Sequence, residues 1–251
     1  MAGVTLITGA SAGLGEEFAR QLSARGQRLV LVARRKDRLE ALAKELGNAR
    51  AVALDLGKPD STEQLMADLA KAGEHVGTLI NNAGFGLIGR FAKRDPERLR
   101  EMIDLNVRTL TDLCRAVVPG MIERGHGAIL NVASTAAFQA GPGMAVYFAT
   151  KAYVLSLSEA LHEELKPKGI KVSCLCPGPT KTEFGEVAGF ASNGWFDRIS
   201  MDSATVVRKG LAGLEKNRAV VVPGLLNKAG ATGTRLVPRA LTRKIAGALK
   251  Y

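Results

Sequence analysis

Val4-Thr-Leu-Ile-Thr8-Gly9-Ala-Ser-Ala-Gly13-Leu-Gly15 opens the chain with an apolar run that breaks into a glycine-rich turn. The periodicity then becomes helical from Gly15 to Arg25, and Arg28–Ala33 (RLVLVA) reads as a second strand. A strand, a glycine turn and a helix in this order place backbone N–H groups at a helix N-terminus, where they suit a pyrophosphate. The spacing is Gly-x-x-x-Gly-x-Gly rather than the common dinucleotide fingerprint.

The alternation continues along the chain. Helices are expected at Lys36–Gly47, from Pro59 to about Ala72, from Asp95–Pro96, and over about 107–123, 147–165 and 202–216. Strands are expected at Arg50–Leu54, Thr78–Asn81, Ala128–Ala133, Lys171–Cys176 and Ala219–Val222. Strands separated by helices require right-handed crossovers, so the fold class is α/β with a doubly wound parallel sheet of about seven strands. No repeat, low-complexity tract or linker interrupts the 251 residues, and one domain over 1–251 is expected.

Composition narrows the classes of function. No apolar run reaches the roughly 18–20 residues of a membrane span. Met1-Ala-Gly-Val-Thr5 leads directly into the first strand without a signal-like region, so a cytoplasmic setting is expected. Cys114, Cys174 and Cys176 read as core thiols, and His75, His126 and His162 form no ligand spacing with them, so no metal is expected.

Charge is uneven: residues 208–251 carry ten Lys/Arg against one acid, Glu215, within a net charge of +11. The tail over 223–251 includes an amphipathic pattern, with Leu241, Ile245 and Leu249 recurring among Arg239, Arg243, Lys244 and Lys250. Without aromatic interleaving, nucleic acid is not an expected partner. Docking on the body or a sister subunit is expected ahead of peripheral membrane contact.

Tyr147-Phe-Ala-Thr-Lys151 puts a phenol and an ammonium on one helix face, with Ser134 thirteen residues upstream. A lysine beside a phenol favours the phenolate and lowers a pKa that is otherwise near ~10. The Ser134 hydroxyl can hold a carbonyl or alcohol oxygen beside it. The loop over 181–200 is apolar and glycine-punctuated after a strand's carboxyl end, and reads as a lid. Phe138, Met144, Phe184 and Trp195 are expected to line a substrate pocket.

Taken in order, Thr8-Gly9-x-x-x-Gly13-x-Gly15, Asn81-Asn82-Ala83-Gly84, Ser134, Tyr147-x-x-x-Lys151 and Pro177-Gly178 resemble the short-chain dehydrogenase/reductase family, over about residues 3–222. The resemblance implies a Rossmann-type sheet and a catalytic set of Asn106, Ser134, Tyr147 and Lys151. Tyr147 is implied as acid/base, Lys151 as partner to the ribose and the phenol, Ser134 as the substrate-oxygen anchor and Asn106 as support for a proton-relay water.

Implied cofactor contacts are Gly9, Ser11, Gly13, Leu14 and Gly15, then Asn82, Ala83 and Gly84, and finally Pro177, Gly178, Thr180 and Thr182. Asp55 and Leu56 resemble the pair that holds the adenine. Where NAD-dependent members carry an acid, this chain reads Ala33-Arg34-Arg35-Lys36, and cations there favour the 2′-phosphate of NADP(H). Arg34 is the leading candidate and Arg35 the second. The expected activity is NADPH-dependent interconversion of a carbonyl and a secondary alcohol on a lipophilic acyl-chain or aromatic substrate, in a homodimer or homotetramer. The alternative is a non-catalytic dinucleotide sensor or lipid-surface binding module.

Overall fold

Residues 3–189 and 200–248 are described by the structure, a computed structural model. Seven parallel strands form one sheet in the order β3-β2-β1-β4-β5-β6-β7. They are β1 Val4–Thr8, β2 Leu29–Ala33, β3 Ala49–Ala53, β4 Val76–Asn81, β5 Gly127–Val132, β6 Ile170–Leu175 and β7 Val220–Val221. Between them lie α1 Gly13–Ser23, α2 Lys36–Leu46, α3 Ser61–Lys71, α4 Pro96–Ile103, α5 Leu110–Arg124, α6 Ala145–Leu165, a short α7 Phe184–Ala188 and α8 Ser203–Glu215. Two further helices, α9 Leu225–Leu236 and α10 Arg239–Ala248, follow β7.

The inner strands β1 and β2 are buried along their whole length because both sheet faces are covered, while edge strand β3 is only half-buried. Successive side chains point to opposite faces. Leu6, Val30, Val32, Ile129 and Cys174 meet α3, α5 and α6 on one side, packed against Leu65, Leu113, Val117 and Val154. Ile7, Leu29, Leu31, Leu130 and Leu175 meet α1, α2 and α8 on the other, against Phe18, Leu39, Val207 and Leu211.

Local chemistry sets the helix ends. Asp95 caps α4 by accepting from the Glu97 N–H, with Pro96 in the first turn. Asp202 caps α8 by accepting from the Thr205 N–H at 2.7 Å. Gly47 ends α2 at φ 73°, a left-handed position that suits glycine.

A buried polar ladder fixes α6 against the sheet. Asn81 Nδ2 donates to Asn131 Oδ1 at 3.0 Å, and Asn131 Nδ2 donates to Ser158 Oγ at 2.9 Å. The helices expected near 95 and 107 form one rod, joined by a π-helical stretch over Asp104–Thr109. A π turn accommodates an extra residue and occurs often at functional sites. Here it turns Asn106 inward, to 1% exposure.

The tail departs from expectation. It forms two helices, and the inner contact of α10 is made by buried Ala246 and by Gly247 facing Pro142. Leu241 and Ile245 are 50% and 54% exposed, so the body of this chain does not cover the stripe. Leu249 and Lys250 lie outside the described residues. Among the described residues, no helix is long and apolar enough to cross a membrane.

Strand order reverses between β1 and β4, which opens a crevice at their carboxyl ends. The turn beside it requires close approach of α1 to the strand. A Cβ on Gly15 would overlap the Gly9 carbonyl oxygen and lie 2.6 Å from Asn82 Nδ2. Gly15→Ala is therefore expected to destabilise the fold by about 1–3 kcal/mol. The matching fall in Tm is roughly 2–4 °C per kcal/mol, read by thermal unfolding.

Candidate active site

The crevice is a cleft of about 770 Å³ that runs from the end of β2, past the glycine loop, to the start of α6. Gly9 and Gly13 take φ of +67° and +58°, left-handed positions that let the loop fold back on itself. The loop is pinned from β4: Asn82 Nδ2 donates to the Thr8 carbonyl at 3.0 Å and the Gly9 carbonyl at 3.3 Å. Thr8 Oγ1 returns the contact by accepting from the Asn82 and Ala83 N–H groups, each at 3.0 Å.

Gly9, Ser11, Gly13, Leu14, Arg34, Arg35, Asp55, Leu56, Asn82, Ala83, Gly84, Pro177, Gly178, Thr180 and Thr182 all line the cleft. Gly15 does not. Its position is one of packing, because the first turn of α1 lies directly on the Gly9 carbonyl.

The two expected phosphate ligands differ. Arg34 is exposed at the cleft edge and has no hydrogen-bond or ion-pair partner among the described residues. Arg35 is engaged: its Nε donates to Ser11 Oγ at 3.1 Å and its Nη1 to Glu183 at 2.8 Å.

At the other end stand Ser134, Tyr147 and Lys151. Ser134 follows β5 and caps a 3₁₀ turn by accepting from the Ala136 N–H at 3.1 Å. Tyr147 is 7% exposed, and burial pushes its hydroxyl up to about 12, with a hydrogen bond to Ser134 pulling the other way. Burial likewise brings the Lys151 ammonium down to about 8. Lys151 Nζ donates to the Val132 carbonyl at 2.9 Å and lies 5.8 Å from the Tyr147 ring centre. The expected lowering of the phenol pKa by Lys151 is thus absent from this geometry. The ammonium is tied to β5, and burial opposes both charged forms.

Asn106 does not line the cleft. Its Oδ1 accepts from the Phe85 N–H at 3.1 Å, while Nδ2 donates to the Phe85 carbonyl at 2.9 Å and to Thr150 Oγ1 at 3.1 Å. Thr150 in turn donates to the Tyr147 carbonyl at 2.7 Å. Asn106 therefore fixes both the 84–85 loop and the first turns of α6.

The wall around Tyr147 is apolar. Phe138, Met144 and Phe184 line the cleft, and the Phe184 ring lies 5.5 Å from that of Tyr147. Trp195, Phe190 and Phe196, expected in the lid, lie outside the described residues. Sequence reading missed Phe85 and Phe148, and also Leu226, Asn227, Gly230, Ala231 and Thr234 of α9, which close one side of the cleft. Asn227 donates to the Pro223 carbonyl at 2.8 Å and fills the space beside Gly178. The available signal was Gly178 itself, whose lack of a side chain admits Asn227.

The reversed strand order, the pinned glycine loop and the Ser–Tyr–Lys group at the crevice define a dinucleotide-binding oxidoreductase architecture. The family model for short chain dehydrogenases matches residues 3–189, and the chain belongs to that family. It is 38% identical over 187 residues to an NADP-dependent 3-hydroxy acid dehydrogenase of Salmonella typhi, covering 73% of this chain and 75% of the relative. A short-chain dehydrogenase from Sphingobium yanoikuyae in complex with NADPH superposes with a TM-score of 0.84 at 34% identity, covering 100% of this chain and 97% of that one. The bulky-bulky ketone specific alcohol dehydrogenase from Comamonas testosteroni superposes with a TM-score of 0.78 at 31% identity, covering 95% and 96%.

Lys151 supplies a stability test. Its folded pKa of about 8 lies below its ordinary value of 10.5, so the folded state binds fewer protons between those limits. Stability from this group therefore rises with pH through that window and is lost as pH falls through 8. Lys151→Met is expected to be more stable than wild type by about 1–3 kcal/mol near pH 7, with the gain shrinking toward pH 10. Denaturant titrations across pH read the difference.

Proposed function

We propose that the protein is an NADPH-dependent carbonyl reductase, reversible as an alcohol dehydrogenase, acting on a lipophilic carbonyl compound. The carrying observation is that Ser134, Tyr147 and Lys151 line the same cleft as the glycine loop and unpaired Arg34. The donor set suits the cofactor. Backbone N–H groups at the start of α1 fit a pyrophosphate, and Arg34 fits a 2′-phosphate. Asp55 and Leu56 line the same cleft and would hold the adenine.

When bound, NADPH supplies a hydride for the carbonyl carbon. Ser134 holds the carbonyl oxygen, and the Tyr147 hydroxyl gives it a proton. Lys151 Nζ lies 5.8 Å from the phenol ring centre and would meet the ribose hydroxyls of the bound cofactor. Asn106 acts by position, keeping α6 and the 84–85 loop in register. The apolar cluster of Met102, Ala136, Met144, Tyr147 and Phe148, extended by Phe85 and Phe184, supports a lipophilic substrate. Exposed Ile122 on α5 and Tyr153 on α6 support pairing of two copies through those helices.

Tyr147→Phe is expected to lower kcat for ketone reduction by roughly 10²–10⁴-fold while leaving NADPH binding intact. Wild-type turnover in this variant would sink the mechanism. Arg34→Ala should erode the NADPH-over-NADH preference by tenfold or more; an unchanged ratio of the two affinities would place the phosphate elsewhere. The pH profiles should oppose each other. Reduction needs the protonated phenol, held up to about 12 by burial, and should stay flat through neutral pH. Oxidation needs the phenolate and should rise with pH. Initial rates measured in both directions from pH 6 to 10 check the pair.

A further inference from the structure

The segment Thr182–Phe184 crosses the cleft and is fastened on the far side by one carboxylate. Glu183 follows β6, yet its Oε2 accepts from Arg35 Nη1 at 2.8 Å and its Oε1 from Arg38 Nη1 at 2.5 Å, both at the start of α2. Thr182 sits against the glycine loop, with its Cβ 3.1 Å from where a Cβ on Gly13 would be. Phe184 stacks beside Tyr147. One residue thus touches the pyrophosphate loop, the next the phosphate-side arginines and the third the catalytic phenol.

Three of the five Arg35 N–H groups are engaged. Its Nε donates to Ser11 Oγ, its Nη2 to the Ser11 carbonyl and its Nη1 to Glu183. Arg34, without a partner among the described residues, is the arginine free to meet a phosphate. Arg38 and then Arg35 hold the Glu183 carboxyl below its ordinary range, so it stays ionised at neutral pH.

We propose that Glu183 is a positioning residue: its ion pairs with Arg35 and Arg38 strap Thr182–Phe184 across the cofactor groove and slow cofactor release. This rests on the cofactor reading above. It divides the two arginines after β2. Arg34 reads the phosphate, while Arg35 ties the glycine loop to the strap. The strap spans the groove without requiring the 2′-phosphate, so it acts on NADPH and NADH alike.

The test is stopped-flow release of NADPH and of NADH from wild type, Glu183→Gln, Arg38→Gln and the double variant, alongside equilibrium titrations. Glu183→Gln is expected to speed release of both cofactors by the same factor, about three- to tenfold, as suits an exposed carboxylate shared by two guanidiniums. Arg38 does not line the cleft, so Arg38→Gln tests the strap without touching the cofactor and serves if Glu183→Gln fails to fold. It should move both rates in the same direction. Adding it to Glu183→Gln should change little, because the Arg38 pair is already lost in that variant. Added salt should narrow the difference from wild type.

Unchanged release in both single variants would overturn the proposal. So would Glu183→Gln tightening NADPH alone, which would make Glu183 a competitor of the 2′-phosphate. Failure of the wild type to bind either cofactor would overturn the cofactor reading and the strap with it.

Discussion

The hydrogen bonds between Asn82 and the Thr8–Gly9 backbone hold the ends of β1 and β4 together where the sheet reverses direction. The rest of the cleft depends on this join. A parallel sheet leaves its carboxyl ends unpaired at such a switch point, and the two loops there would otherwise splay apart. Asn82 fills the gap with a side-chain amide, and Thr8 answers with its hydroxyl. The glycine loop can then turn back through Gly9 and Gly13, and α1 can begin against the strand that precedes it.

The reactive end is held by a second set of buried polar contacts. The ladder from Asn81 through Asn131 to Ser158 ties α6 to β4 and β5, and Asn106 ties the same helix to the 84–85 loop. Buried hydrogen bonds of this kind favour a single geometry, and among the described residues Asn81 Oδ1 is left without a partner. Lys151 is a second cost, an ammonium with one carbonyl partner in an apolar surround. Burial holds its pKa below the ordinary value, a cost in stability that the proposed role of Lys151 would explain.

Much of this was legible in the sequence because each signal carried its own physical cause. The inner strands β1 and β2 were largely apolar, as buried parallel strands tend to be, and the glycine spacing and the Tyr147–Lys151 interval lie within continuous local segments. What escaped depended on contacts between distant segments. The π turn at 104–109 has no pattern of its own, since its cause is the packing of Asn106 against Phe85 and Thr150. The tail was read from the Leu241–Ile245 stripe, but small residues, Ala246 and Gly247, make the contact instead. The sequence ranks Arg34 ahead of Arg35, but the contacts that separate them, from Ser11 and from Glu183 far along the chain, were not legible there. The electrostatic balance at Tyr147 also depends on depth of burial, which local spacing does not encode.

The central claim is that this cleft passes a hydride from a nicotinamide to a carbonyl carbon. The direct measurement is incubation of the protein with NADPH deuterated at the transferring position and a panel of aliphatic, aromatic and long-chain 3-keto compounds, followed by mass analysis of the alcohols. Deuterium on the carbinol carbon of at least one product is the expected result. Tight NADPH binding with no deuterated alcohol from any carbonyl would contradict it and would favour a dinucleotide-binding protein without turnover.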